Sequence, residues 1–208
     1  MKLPVSALLS LIPLVAAMPG RRQESSSSSS GSFGVTAARS GSPIHFLPLT
    51  ASGSHFYLGG KSQTYTPEGV PLNKATNDTI LTGSHYLDVV VPGGQEIYVD
   101  ASGALSFTQP HSAYIPEGSS EGPFKYTPGK DGGLGSWSYG NGFIACPTSN
   151  ATATPYSRRR AASAAKWQVF SAQKNATVPT GNINDCLGFD ALTVPINTTT
   201  TQPAWEYI

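Results

Sequence analysis

About a dozen short apolar segments recur every 8–15 residues along this chain, and Gly, Pro, Ser, Thr or Asn separates each from the next. Segments of three to eight residues are too short for globular helices and have the length of strands. They cover residues 33–38, 43–50, 55–60, 80–82, 85–91, 95–100, 104–108, 124–127, 137–139, 143–146, 166–170 and 187–194. In the second, Ile44 and Phe46 alternate with polar or small neighbours. The sixth and seventh flank Ala101-Ser-Gly103 and read as a hairpin with a glycine turn. No strand–helix–strand rhythm accompanies them, which excludes a parallel sheet. The spacing predicts an all-β fold: an antiparallel sandwich or barrel of about 10–13 short strands. A β-trefoil is the alternative, ranked second because no self-similarity recurs at a period of about 50 residues.

Composition supports strands and turns. Charged residues make up 12% of the chain, about half the usual share, and Gly, Ser, Thr, Asn and Pro fill the gap. Strong helix formers are sparse.

The organisation along the chain follows. Residues 1–17 read as a cleavable signal peptide: Lys2, an apolar run to Leu14, then the small residues of Val15-Ala16-Ala17. That run holds roughly 13 apolar positions, short of the ~20 a membrane span needs, so no membrane span is expected. Residues 18–32 form a disordered Ser-rich linker with a dibasic pair, Arg21-Arg22, and an unbroken run from Ser25 to Ser30. A single β domain follows from 33 to 194, with a loop insertion at 149–165 carrying Arg158-Arg-Arg160. A polar tail occupies 195–208, without the apolar stretch that a lipid anchor of the GPI type requires.

Loss of Lys2 with the leader leaves 12 basic against 12 acidic residues. A neutral mature chain lacks the basic face that nucleic acid demands, so no nucleic-acid partner is expected. In an exported chain the two cysteines, Cys146 and Cys186, are expected to form a disulfide. Four sequons offer N-glycosylation sites at Asn77, Asn150, Asn175 and Asn197.

Catalytic constellations are harder to find. His45, His55, His85 and His111 show no metal-binding spacing, and no metal or cofactor is expected. No serine stands in Gly-x-Ser-x-Gly. Glu96 and Asp100 share one strand face but lie about 13 Å apart by strand rise, too far for a glycosidase pair. Asp88, Asp131 and Asp190 are the other acids considered. The glycine-rich stretch 129–135 lacks the Gly-Lys-Ser/Thr of a phosphate loop. Aromatic residues are the better lead: Trp137, Tyr139, Phe143, Trp167 and Phe170 gather near the cysteines. Trp137 and Trp167 are candidates for stacking on sugar rings, with core packing as the commoner use of such residues.

Several of these segments together resemble a known family. Phe33-Gly-Val-Thr-Ala, Ser40-Gly-Ser42 and Ile44-His-Phe resemble the mature start of the fungal phiA-like cell-wall proteins. The run from Gln95 to Gly103 is similar to the family's Gln-Glu-Ile-Phe-Val-Asp-x-Ser-Gly, and Phe143-Ile-Ala-Cys-Pro147 to its Leu-Ile-Ala-Cys-Pro. Trp167-Gln-Val-Phe170 corresponds to a Trp-centred strand and Asp185-Cys-Leu-Gly188 to an Asp-Cys-Glu-Gly. The family has additional early cysteines, where this chain has only the late pair.

The resemblance implies a secreted or cell-wall-associated protein, linked to phialide and conidium development, akin to proteins described as IgE-binding. It brings no catalytic residues. Three functions are weighed in order: a structural or developmental surface protein of a fungal wall, touching wall polysaccharide and without catalysis; a carbohydrate-binding or host-facing effector module; and a glycoside hydrolase. The second requires an exposed aromatic platform, and the third two converging carboxylates.

Overall fold

The computed structural model describes residues 31–71, 78–148 and 166–208. The leader (1–17), nearly all of the Ser-rich linker, Asn77, Asn150 and the 149–165 insertion lie outside them.

Fourteen strands are present among the described residues: β1 (Phe33–Ala38), β2 (Leu49–Ser52), β3 (His55–Leu58), β4 (Thr64–Tyr65), β5 (Leu81–Thr82), β6 (Tyr86–Leu87), β7 (Gln95–Val99), β8 (Leu105–Phe107), β9 (Phe124–Thr127), β10 (Gly135–Tyr139), β11 (Phe143–Pro147), β12 (Trp167–Ser171), β13 (Leu187–Pro195) and β14 (Glu206–Tyr207). Every strand pair is antiparallel. Twelve strands belong to one sheet, ordered β1-β5-β6-β7-β8-β3-β12-β11-β13-β10-β9, with β2 beside β3. A further pairing joins β1 to β13, from Phe33↔Pro195 to Ala38↔Asp190, so the hydrogen-bonded path returns to its start. The β9–β10 pair and β2 lie off that circuit, and the result is no clean barrel. The pairing order has no three-fold repeat, which sets the trefoil aside.

Alternation fills the interior. β1 buries Phe33, Val35 and Ala37, and β13 buries Phe189, Ala191 and Thr193. They join Ile44, Leu49, Phe56, Leu58, Leu81, Ile97, Leu105 and Phe107 in the main core. Phe56 meets Phe107 edge to face at 5.3 Å. The β2–β3 hairpin turns through Gly53 (φ 60°) and Ser54 (φ 64°), the left-handed pair that a two-residue turn requires. The turn after β7 is held by Asp100, whose Oδ1 accepts from the Ser102 and Ala104 backbone N–H groups. Gly103 suits that turn because its backbone is left-handed (φ 89°), a conformation that strains any residue with a Cβ.

The outer face of the sheet carries a second, smaller core. Ala104, Cys146, Phe170 and Val178 are buried there, with Ile144, Ala176, Ile183 and Cys186 against them. The Cys146–Cys186 disulfide ties the 172–186 loop to β11.

Two expectations are corrected. Residues 43–47 are turn, not strand, and extended structure begins with the Thr36↔Pro48 bridge and Leu49. Pro43 and Pro48 lack the N–H groups a ladder needs. The tail at 195–208 is not a polar appendage either. Ala204 and Tyr207 are buried, and Ala204 O and Trp205 O accept from Val90 N and Val91 N. Gln95 clasps Tyr207 by its backbone, donating from Nε2 to Tyr207 O (3.0 Å) and accepting at Oε1 from Tyr207 N (2.8 Å). Its side-chain amide occupies the place of a neighbouring strand. At the other boundary Ser32 belongs to the fold, donating to Asp88 Oδ2.

Candidate functional site

The residues expected to offer an aromatic platform do not. Trp137 is 2% exposed and Trp167 7%. β10 alternates Ser136, Trp137, Ser138 as exposed, buried, exposed, so the indole points inward. Its Nε1 donates to Ser84 O at 2.7 Å. Phe124 stacks on Trp137 at 5.4 Å, and Phe143 stacks on it at 4.9 Å and on Phe189 at 6.0 Å. These rings belong to the main core, not to the disulfide cluster. Trp137 is enclosed by rings and Trp167 by its burial in the same core, so neither offers an indole face to a sugar.

Two histidines and two carboxylates are paired within the framework. Along β7, Glu96 Oε1 lies 3.3 Å from His85 Nε2, and beyond its end Asp100 Oδ2 lies 3.9 Å from His55 Nε2. His85 Nδ1 also meets Ser84 Oγ at 2.8 Å, and His55 Nδ1 meets Gly53 O at 2.8 Å. Exposed Tyr86 sits beside this pair, its phenol held above the usual range by partial burial and then by the charges of Glu96 and Glu121. Asp131 and Asp190 are exposed on other elements. Among the described residues, no group of three His, Cys, Asp or Glu is placed to hold a metal ion.

β13 pairs with β11 through Phe189 and with β10 from Ala191 onward. The 138–142 segment therefore bulges away opposite Asp190. A slot of about 320 Å³ opens there, rimmed by Ser136, Ser138 and Asp190. Trp137, Phe143 and Phe189, the stacked and buried rings, also line it.

Two sequons can be placed. Asn175 and Asn197 are both exposed. Asn197 Oδ1 accepts from Thr199 N (2.9 Å) and Thr199 Oγ1 (2.5 Å), an Asx turn on the surface. Thr79 of the Asn77 sequon is buried, with its Oγ1 accepting from Ala51 N at 2.7 Å and lying 2.6 Å from Ser62 Oγ.

Exposed aromatic rings lie elsewhere, at Tyr65, Tyr86, Tyr114 and Phe46, and of these Phe46 sits in the turn between β1 and β2. Phe46 is 62% exposed and takes a left-handed backbone, φ 60°. Around it the loop is densely bonded. His45 N donates to Ser42 O, Phe46 N to Ala37 O, and Leu47 N to Ile44 O, while Ala37 N donates to Leu47 O. Arg39 N donates to His45 Nδ1 (3.1 Å), and the Arg39 guanidinium to Gly188 O (2.6 Å). Ile44 is fully buried and anchors the loop in the core. The flanking prolines were the one signal in the sequence that this segment is a turn.

Comparisons with known proteins agree on secretion. Residues 33–208 match the family described as PhiA-like secreted protein, from the first strand to the buried C-terminal segment. A protein of Arthroderma benhamiae named "Uncharacterized secreted protein" is 40% identical over 179 residues, 83% of this chain and 84% of that protein. No solved structure matches. The resemblance carried by the Gln95–Gly103 and Phe143–Pro147 motifs thus extends over the whole β domain: the chain is secreted and belongs to the PhiA-like secreted protein family.

Proposed function

We propose that this protein is a non-catalytic surface component of a fungal wall, with a structural or developmental role, retained by non-covalent contact with wall polysaccharide. The observation that carries the reading is the commitment of its candidate catalytic groups. Glu96, Asp100, His55 and His85 pair with one another within the β framework, and Asp131 and Asp190 sit on separate elements. The near-neutral charge of the mature chain suits a neutral polymer. Exposed Asn175 and Asn197 are proposed glycan carriers, which would add a hydrated coat.

The test is fractionation combined with a pull-down. Mature protein is expected in the detergent-washed wall fraction, and it is expected to sediment with insoluble glucan or chitin. Full recovery in the culture medium and in the pull-down supernatant would overturn the reading.

A further inference from the structure

Phe46 is unusual on two counts. A bulky side chain in the left-handed region is strained by contact between Cβ and its own carbonyl. A large apolar ring at 62% exposure gains little from burial. Glycine or asparagine would meet the same turn geometry without either cost. Strain of this kind persists where the surrounding structure over-determines it, and it collects at ligand contacts. Here the surroundings do over-determine it: buried Ile44, the Arg39 bonds and the backbone bonds of the loop fix the tip before any partner arrives.

The chemistry around the ring narrows the partner. His45 stacks on one face of Phe46 at 3.9 Å, with an interplanar angle of 26°, and the other face has no ring neighbour. Because His45 Nδ1 accepts the Arg39 N–H, the neutral imidazole carries its proton on Nε2, a donor beside the open ring. Ser40, Gly41, Ser42 and Pro43 precede it in the same turn, where Ser42 Oγ accepts from Ile44 N. An isolated ring amid hydroxyls and an N–H donor does not match a protein hot spot, which needs a surrounding apolar patch to exclude water. It matches a pyranose, whose C–H face is apolar and whose edge is hydroxyl.

We propose that the Phe46–His45 tip is a binding site for the pyranose rings of a neutral polysaccharide, with Phe46 as the stacking platform and His45 Nε2–H as a hydroxyl partner. The inference rests on the wall-polysaccharide reading above and moves its aromatic contact from the buried tryptophans to this loop.

Sedimentation with insoluble β-1,3-glucan and with chitin, in separate arms, tests it on the secreted full chain and on Phe46→Asn and Phe46→Tyr. Asparagine accepts the left-handed backbone, so Phe46→Asn is expected to melt no lower than the natural protein while binding about tenfold more weakly. Phe46→Tyr is expected to keep binding within about twofold of the natural protein, and the arm that shows these effects names the polymer. If the natural protein sediments and Phe46→Asn sediments equally, this site is wrong while wall contact stands. A natural protein that binds neither polymer sinks the wall-contact reading and this inference with it. A clear fall in melting temperature for Phe46→Asn overturns the premise that the ring is there for a ligand.

Discussion

The hydroxyl of Tyr207 works in a dry site. It accepts from Ile80 N at 3.0 Å and donates to Asp78 O at 2.8 Å, while Gln95 holds the backbone of the same residue. Burial is the main cause of a phenol pKa well above its usual value, and the nearby Asp88 and Asp78 charges act in the same direction. The linkage sign follows. A raised folded-state pKa contributes stability that is complete below about pH 10, where unfolded tyrosine titrates, and is lost as pH climbs past it. Urea titrations at pH 8 and pH 10.5 are expected to show this alkaline loss, with a shallower slope in Tyr207→Phe. At pH 8 that variant is expected to lose about 1–3 kcal/mol, because Ile80 N is left unpaired. Gln95→Ala orphans both backbone groups of Tyr207, and at least about 2 kcal/mol of destabilisation is expected in the same titration. Residue-scale features were unevenly legible in the sequence. Ser-Trp-Ser in β10 is an alternation that places Trp137 inward, so its burial was readable. Nothing in the order of residues announces that Gln95 would serve as a strand partner 112 positions away.

The elements that alternate over four or more residues were legible: β1, β3, β7, β11, β12 and β13 coincide with apolar runs in the sequence. β4 and β14 were not. Each has two residues, and each exists because the other supplies its hydrogen bonds, Glu206↔Tyr65 and Tyr207↔Thr64. A pair so short has no period to read. The turn at 43–47 was misread for the opposite reason, since Ile44 and Phe46 match a strand period that Pro43 and Pro48 forbid. The 172–186 loop also depends on a distant partner. Replacing Cys146 and Cys186 together by Ala removes a constraint with a sequence separation of 40 and is expected to cost about 2–4 kcal/mol. Hydrogen exchange is expected to quicken first at residues 173–186, which the small outer cluster covers, while β1, β7 and β13 stay protected. Equal loss of protection everywhere would show that the two cores are one cooperative unit.

At the level of the whole molecule, secretion and β architecture followed from the leader, the turn spacing and the family motifs. The exposure of Phe46 did not, because side-chain exposure in a turn is set by tertiary packing. The circuit of pairings also sets a timetable for biogenesis. Residue 33 aligns with residue 195, and the final residues bond to segments made far earlier, with Ile208 N donating to Gln63 O. Non-local pairing on this scale folds slowly. A ribosome therefore cannot release finished portions of this domain one at a time. The earlier strands have to wait for residues 204–208 before their hydrogen bonds are complete, and their apolar faces stay open to aggregation in the interval. Refolding of a chain lacking 204–208 is expected to stall with core amides unprotected in pulse-labelled hydrogen exchange, while the full chain reaches complete protection. The short segment 204–208 is thus the one that licenses the strands before it to settle.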